Sequence, residues 1–200
     1  MKKINLVIIV LFLFPLITAQ DDGAVLLKSL QDKFSGLKDL TVDFKQKSGE
    51  RSGYSGKFFF KKENKMRFEL KNITIITDGS TTWNYNKKEK KVIISNYNPE
   101  DASFISMKRL VFDYPSMCKV ESSVIDGEKT LLLVPLTDEL NFNYVRIWIN
   151  KDQLISKTII DDKSTGKIEV SFLNYLVDQN LPDKKFNFTP PKESKIIDLR

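Results

Sequence analysis

The chain has 200 residues, with 32 Lys and Arg against 26 Asp and Glu, one cysteine and no histidine. The absence of histidine removes the Ser–His–Asp triad, the commonest general base and most zinc sites, and the lone Cys118 rules out an internal disulfide. The net charge of +6 sits largely in lysine pairs at predicted turns, which suits solubility or an anionic surface; the neighbouring aromatics fit a strand face better than a platform for stacking bases, so nucleic acid is not expected.

Residues 1–19 read as a secretory signal peptide. Lys2 and Lys3 precede an apolar run from Leu6 to Phe14 that is too short to span a bilayer comfortably. Cleavage is expected after Ala19, with Gln20 as the alternative site and an uncleaved anchor as the competing reading. No cysteine follows the run to carry an N-terminal lipid. Residues 20–200 are then one exported, soluble domain, large enough for a real core. Asn72-Ile-Thr and Asn187-Phe-Thr have the glycosylation pattern and are read as accidental.

Asp21 to Leu37 predicts a helix, because Leu27, Leu30, Phe34 and Leu37 recur at helical spacing. From Leu40 the period becomes two: Leu40, Val42 and Phe44 share one strand face, with Asp43 and Lys45 on the other. Strands follow at 56–61, 66–71, 73–77, 81–86 and 90–95, with Asp78-Gly79 as a hairpin signal. Residues 98–112 break this rhythm. Asn98 is a good N-cap, Pro99 suits the first helical position, and Phe104, Met107 and Val111 form an apolar stripe. Strands return at 118–125, 130–135, 143–150, 154–161 and 167–176, with a tail strand expected near 186–188.

The expected fold is mainly β (α+β): an antiparallel sheet of about ten strands, too long to stay flat, with short helices on one side. One face is expected to be apolar and to carry Phe58, Phe60, Met66, Phe68, Leu70, Trp83, Tyr85, Val92 and Ile94. The wet face is expected to carry Lys57, Lys61, Arg67, Glu69, Thr82 and Asn84, with Phe59 and Ile93 as exceptions. Catalysis is not expected. Asp78, Asp126, Asp161 and Asp162 fall in turns, where turn chemistry accounts for them, and Cys118 reads as a small buried hydrophobe.

Four segments in order carry a family resemblance. They are "LLKSLQDKFSGLKDLTVDFKQK", "GKFFFKKENKMRFEL", "TDGSTTWNYNKKEKKVII" and "FNFTPPKESKIIDL". Together the chain resembles the LolA-type periplasmic outer-membrane lipoprotein carriers. The resemblance implies an incomplete antiparallel half-barrel with a lid of short helices. It implies a periplasmic carrier that shields lipoprotein acyl chains, collects them from an inner-membrane ATP-driven releasing complex and delivers them to an outer-membrane acceptor. It implies a monomer with transient membrane contact and no cofactor, metal or catalytic residue. The groove would be lined by Phe58, Phe60, Met66, Phe68, Leu70, Trp83, Tyr85, Ile94 and Phe104. The family's Arg-Pro pair after the aromatic strand is Lys62-Glu63 here, so Lys62 is the candidate lid latch, without the planar fork of an arginine. Lys87, Lys88, Lys90 and Lys91 are the candidate partner-docking rim, and Lys61 and Lys62 are expected to join it. A carrier of other lipids or glycolipids, and a lipoprotein-sensing module, are the alternatives on the same scaffold.

Overall fold

The apolar stripe at helical spacing forms α1 (Asp22–Gly36) in a computed structural model that describes residues 22–49, 53–98 and 107–200. The signal peptide, Phe104 and the rest of 99–106 lie outside the described residues. After α1 the first half of the sheet is β1 (Asp39–Ser48), β2 (Ser55–Lys61), β3 (Lys65–Leu70), β4 (Ile73–Thr77), β5 (Thr81–Asn86) and β6 (Lys91–Asn96). A π-helical turn at Arg109–Asp113 runs into a short helical turn at Tyr114–Ser116, past the predicted end at Phe112. The second half is β7 (Cys118–Ile125), β8 (Glu128–Pro135), β9 (Phe142–Ile149), β10 (Ile155–Asp162) and β11 (Gly166–Val177). The expected tail strand at 186–188 is absent. A 3-10 turn at Asp183–Phe186 stands just before it, and the last strand, β12, is Lys195–Asp198.

Among the described residues these strands form one open sheet in the order β12-β6-β5-β4-β3-β2-β1-β11-β10-β9-β8-β7. Each half is a meander, and β1 joins them by pairing antiparallel with both β2 and β11. Only β12 runs parallel to its neighbour, β6. The ends do not pair with each other, so the architecture is an incomplete barrel with helical cover rather than a closed one.

The turns follow from their residues. Asp126 and Gly127 both take positive φ, 53° and 81°, which closes β7 on β8 with the twist that strands require. At Asp78–Ser80 the Asp78 carboxylate accepts the Ser80 and Thr81 amides, each at 2.8 Å. Gly79 sits at φ 97°, and a Cβ there would lie 2.4 Å from the Glu63 carbonyl oxygen of the neighbouring turn, so glycine is required. Asp162 likewise accepts the Ser164 and Thr165 amides, at 2.9 and 2.7 Å. These carboxylates serve their turns.

Register corrects the expected faces. Phe58 pairs with Phe68, Phe68 with Ile75, Ile75 with Asn84 and Asn84 with Ile93, and cross-strand partners share a face. The inner face, toward α1, therefore carries Phe58, Phe60, Met66, Phe68 and Leu70 as expected. It also carries Thr82, Asn84 and Ile93, contrary to the alternation expected from the sequence. Trp83, Tyr85, Val92 and Ile94 lie on the outer face with Phe59, Arg67 and Ile76. Alternation within each strand was right, but the phase changes between β4 and β5. The Thr77↔Thr82 pairing sets that phase, and a slip of one residue turns every side chain over.

An outer face this apolar needs its own cover, and residues 178–194 supply it as a strap. The buried Asp39 carboxylate accepts the Gln179 amide at 2.9 Å and the Leu181 amide at 3.2 Å. Asp178 accepts the Lys38 amide at 2.7 Å in return. The Lys61 ammonium reaches the Leu181 carbonyl at 2.8 Å and Asp183 at 2.6 Å, and the Arg67 guanidinium reaches the Lys185 carbonyl at 3.2 Å. Phe186 is fully buried, the Lys185 ammonium lies 3.7 Å from the centre of the Phe59 ring, and Phe188 packs on Tyr85 with ring centroids 5.5 Å apart. Phe186→Ala is therefore expected to destabilise the protein by about 3–5 kcal/mol in urea unfolding. The same variant is expected to be cut faster by trypsin after Lys184 and Lys185, because the strap loses its only fully buried side chain.

Candidate functional site

Between α1 and the inner face of β1–β3 lies a cavity of about 270 Å³. Its floor is Leu40, Phe58, Phe60 and Met66, of which Leu40, Phe60 and Met66 form one cross-strand row. Phe34 and Leu37 at the end of α1 form a wall, and Tyr97, Met107 and Phe112 close the far side. The mouth is the β2–β3 turn, Lys62, Glu63 and Asn64, with Lys108 and Ser35 beside it. Phe68 backs this floor rather than lining it. Its ring stands 4.5 Å from that of Phe58 and meets Phe44 edge-on at 6.0 Å. These stiff rings give the floor a defined shape, and Met66 and Met107 are the adaptable members.

Of the expected groove residues, Phe58, Phe60 and Met66 line the cavity, while Phe68 and Leu70 share their face outside its lining. Trp83, Tyr85 and Ile94 are on the opposite face, where Tyr85 packs against Phe188 of the strap. Sequence reasoning placed Phe34, Leu37 and Met107 only in helical stripes, and those stripes were the signal that they face the sheet. Tyr97, Lys108 and Phe112 carried no such signal, because their positions depend on how the connection folds back.

Lys62 is at the mouth, and its backbone amide donates to the Lys38 carbonyl at 3.1 Å. Among the described residues its ammonium makes no hydrogen bond or ion pair. Between α1 and the 107–112 segment the Gln31 side-chain amide donates to the Val111 carbonyl, at 3.0 Å. Arg67 is on the outer face, where it also pairs with Glu69 at 2.6 Å.

The lysines do not gather at one rim. Successive turns of a meander alternate between its two ends, so the β2–β3 turn with Lys61 and Lys62 lies at the cavity mouth and the β5–β6 turn lies at the other end. Lys87, Lys88 and Lys90 are exposed there and Lys91 is half-buried. Lys87 donates to the Leu70 carbonyl at 3.2 Å, Lys90 pairs with Glu193 of the strap at 2.5 Å, and Lys91 lies 3.4 Å from Glu89.

The site's chemistry is that of exclusion. Among the described residues no group of histidine, cysteine or carboxylate side chains is arranged to hold a metal. Burial pushes the Tyr97 phenol and the Cys118 thiol above their ordinary values, so both stay protonated at neutral pH. What remains is an apolar chamber with a polar lip, able to keep water from a hydrocarbon chain. Cys118 is expected to react with a thiol reagent at neutral pH at least tenfold more slowly in the native protein than in urea, as followed by absorbance.

Comparison with known proteins agrees with this geometry. A family model described as outer membrane lipoprotein carrier protein LolA matches residues 35–189. An outer-membrane lipoprotein carrier protein of Coxiella burnetii is 26% identical over 210 residues, covering 98% of this chain and 97% of that protein. An uncharacterized protein of Methanocaldococcus jannaschii is 23% identical over 205 residues, covering 97% of this chain but only 59% of its own length. A solved structure of an uncharacterized conserved protein from Thermus thermophilus shares the fold, with a TM-score of 0.59 at 12% identity over 88% of this chain and 98% of that one.

Proposed function

The chain belongs to the outer membrane lipoprotein carrier protein LolA family, and from that premise we propose that it is an exported periplasmic carrier that shields lipoprotein acyl chains between the inner and outer membranes. The observation that carries this reading is the chamber between α1 and the floor of Phe58, Phe60 and Met66. Each methylene moved from water into such a site contributes about 0.8 kcal/mol, so an acyl chain needs no specific polar contact to be held. Among the described residues no helix is long and apolar enough to cross a membrane, which is consistent with a carrier that docks and leaves.

The chamber is smaller than most small-molecule sites, which run from about 300 to 1,000 Å³. A cargo with several acyl chains therefore requires α1 and the 107–116 segment to swing away from the sheet. Both rest on it mainly by side-chain packing; the Ser29 hydroxyl donates to the Gln153 side-chain carbonyl of the β9–β10 turn at 3.0 Å, and the Gln31 side-chain amide donates to the Val111 carbonyl at 3.0 Å. The floor, by contrast, is held by ladders on both sides of β2. Opening by moving the helices costs less than bending the sheet.

Loading from an ATP-driven releasing complex and delivery to an outer-membrane acceptor both need a surface that stays available while the chamber is full. The exposed Lys87 and Lys88, at the end remote from the mouth, supply one that meets acidic protein or anionic headgroups. Such contacts act mainly on encounter rate.

The test uses residues 20–200 incubated with membrane vesicles bearing a triacylated lipoprotein, and measures the cargo recovered in a water-soluble complex after sedimentation. The wild type is expected to form that complex. Phe60→Glu, which puts a charge on the chamber floor, is expected to lose it at least tenfold, while Trp83→Ala on the outer face keeps it. No soluble complex with wild type overturns the carrier reading. Separately, Lys87→Glu with Lys88→Glu is expected to slow loading at low salt and to match wild type at high salt, where screening is complete within a few ångströms.

A further inference from the structure

The mouth of the chamber carries a charge pattern that acyl-chain shielding alone does not call for. Lys62 and Lys108 both border it, both are exposed, and among the described residues neither ammonium has a hydrogen-bond or ion-pair partner. The lysines next to Lys62 are spent differently. Lys61 is paired with Asp183 at 2.6 Å, and Lys65 lies 2.9 Å from Glu63 and 3.5 Å from Asp183. The Lys65 pairing matters, because among the described residues Glu63 is the one carboxylate lining the chamber, and it is already paired with an ammonium that does not line it. Among the described residues the lip therefore presents two unpaired ammonium groups beside an apolar floor.

Neutral donors stand with them. Tyr97, Asn64 and Ser35 line the same opening. The Tyr97 phenol is a donor through the neutral range, as any tyrosine is, and burial only raises its pKa further. Ammonium groups beside low-dielectric walls attract an anion more strongly than the same groups in open water. The chamber's size sets the other half of the ligand: about 270 Å³ with a floor of three apolar side chains from β2 and β3 suits one hydrocarbon chain rather than several.

Resting on the carrier reading, we propose that in the closed form the chamber binds a single-chain amphiphile with an anionic head, a fatty-acid carboxylate or a phosphate monoester, its chain on Phe58, Phe60 and Met66 and its head between Lys62 and Lys108. Such a ligand fills the chamber before cargo arrives and leaves when the helices open. The carrier reading needs only the floor; this one also needs the lip, so the two fail separately.

Displacement of a neutral fluorescent probe, N-phenyl-1-naphthylamine, from residues 20–200 at pH 7.5 tests it, with all ligands below their micelle concentrations. Laurate, dodecyl phosphate and uncharged 1-monolaurin share a chain length and differ in the head. Laurate or dodecyl phosphate is expected to displace the probe at a concentration at least about tenfold below that of monolaurin, and raising the salt is expected to narrow the gap. If only one anion is favoured, it identifies the head. Lys62→Gln with Lys108→Gln is expected to weaken the favoured anion about tenfold and to leave monolaurin unchanged. Because these exposed substitutions leave the floor intact, unchanged probe binding by the double variant confirms that it is folded. Equal displacement by all three ligands overturns the anionic-head proposal and leaves the carrier reading standing. No probe binding and no displacement by any of them overturns both.

Discussion

An open sheet with apolar side chains on both faces has to be covered twice, and both covers in this protein are fastened at the start of β1. On the inner side α1 ends at Gly36, and the buried Leu37 and Leu40 carry the chain straight down onto the sheet. On the outer side the strap begins where β11 ends, and its first turn is held by Asp39 and Asp178 accepting each other's neighbouring amides. A buried carboxylate is tolerated only when its charge is met by donors, and here the strap's own backbone supplies them. Positioning the strap and satisfying Asp39 are thus the same event. The pairing of β1 with β2 and β11 then joins the two meanders, so the floor of the chamber and the anchor of the strap belong to one strand neighbourhood.

The two covers differ in how they are held, and this bears on function. The strap is stitched by Lys61, Lys65 and Arg67 from the sheet, seals Phe186 from water and ends as a strand on β6. The Lys61 ammonium, hydrogen-bonded to Asp183, holds that carboxyl below the usual carboxylate range. Its contribution is therefore present above the unfolded pKa and is lost as the pH falls through the folded value. The pair is exposed, so the effect is small. The helical cover has little of this polar stitching. Packing without directional bonds can be given up when a hydrocarbon chain takes the place of the side chains, because the chain buries the same kind of surface. The fixed cover lies outside and the replaceable one over the chamber.

Much of this was legible in residue order. The period of two in Leu40–Phe44 and Met66–Leu70, the left-handed turn at Asp126-Gly127 and the stripe in α1 each rest on neighbours a few positions apart, and local sterics decide such features. Phe58, Phe60 and Met66 were identifiable for the same reason, since they lie in one hairpin. Trp83, Tyr85 and Ile94 lie opposite to their expected face because hydrophobicity does not by itself mean the inner face: with the strap over it, the outer face is apolar as well. That strap comes from residues about a hundred positions away, and nothing local to Trp83 announces it.

The residue order alone therefore specified the α1 stripe, the strand alternation, the turn carboxylates, the absence of histidine chemistry and, through four short segments, the family. Folding in three dimensions decided which face each strand shows to the helix, since hairpin register sets phase. It also separated the Lys61–Lys62 turn from the Lys87–Lys91 turn, since a meander alternates its ends. Only the folded chain brought Lys62 and Lys108 to the same opening, from the β2–β3 turn and the connection before β7. Their closeness depends on a long-range return of the chain over the sheet, which no local pattern encodes.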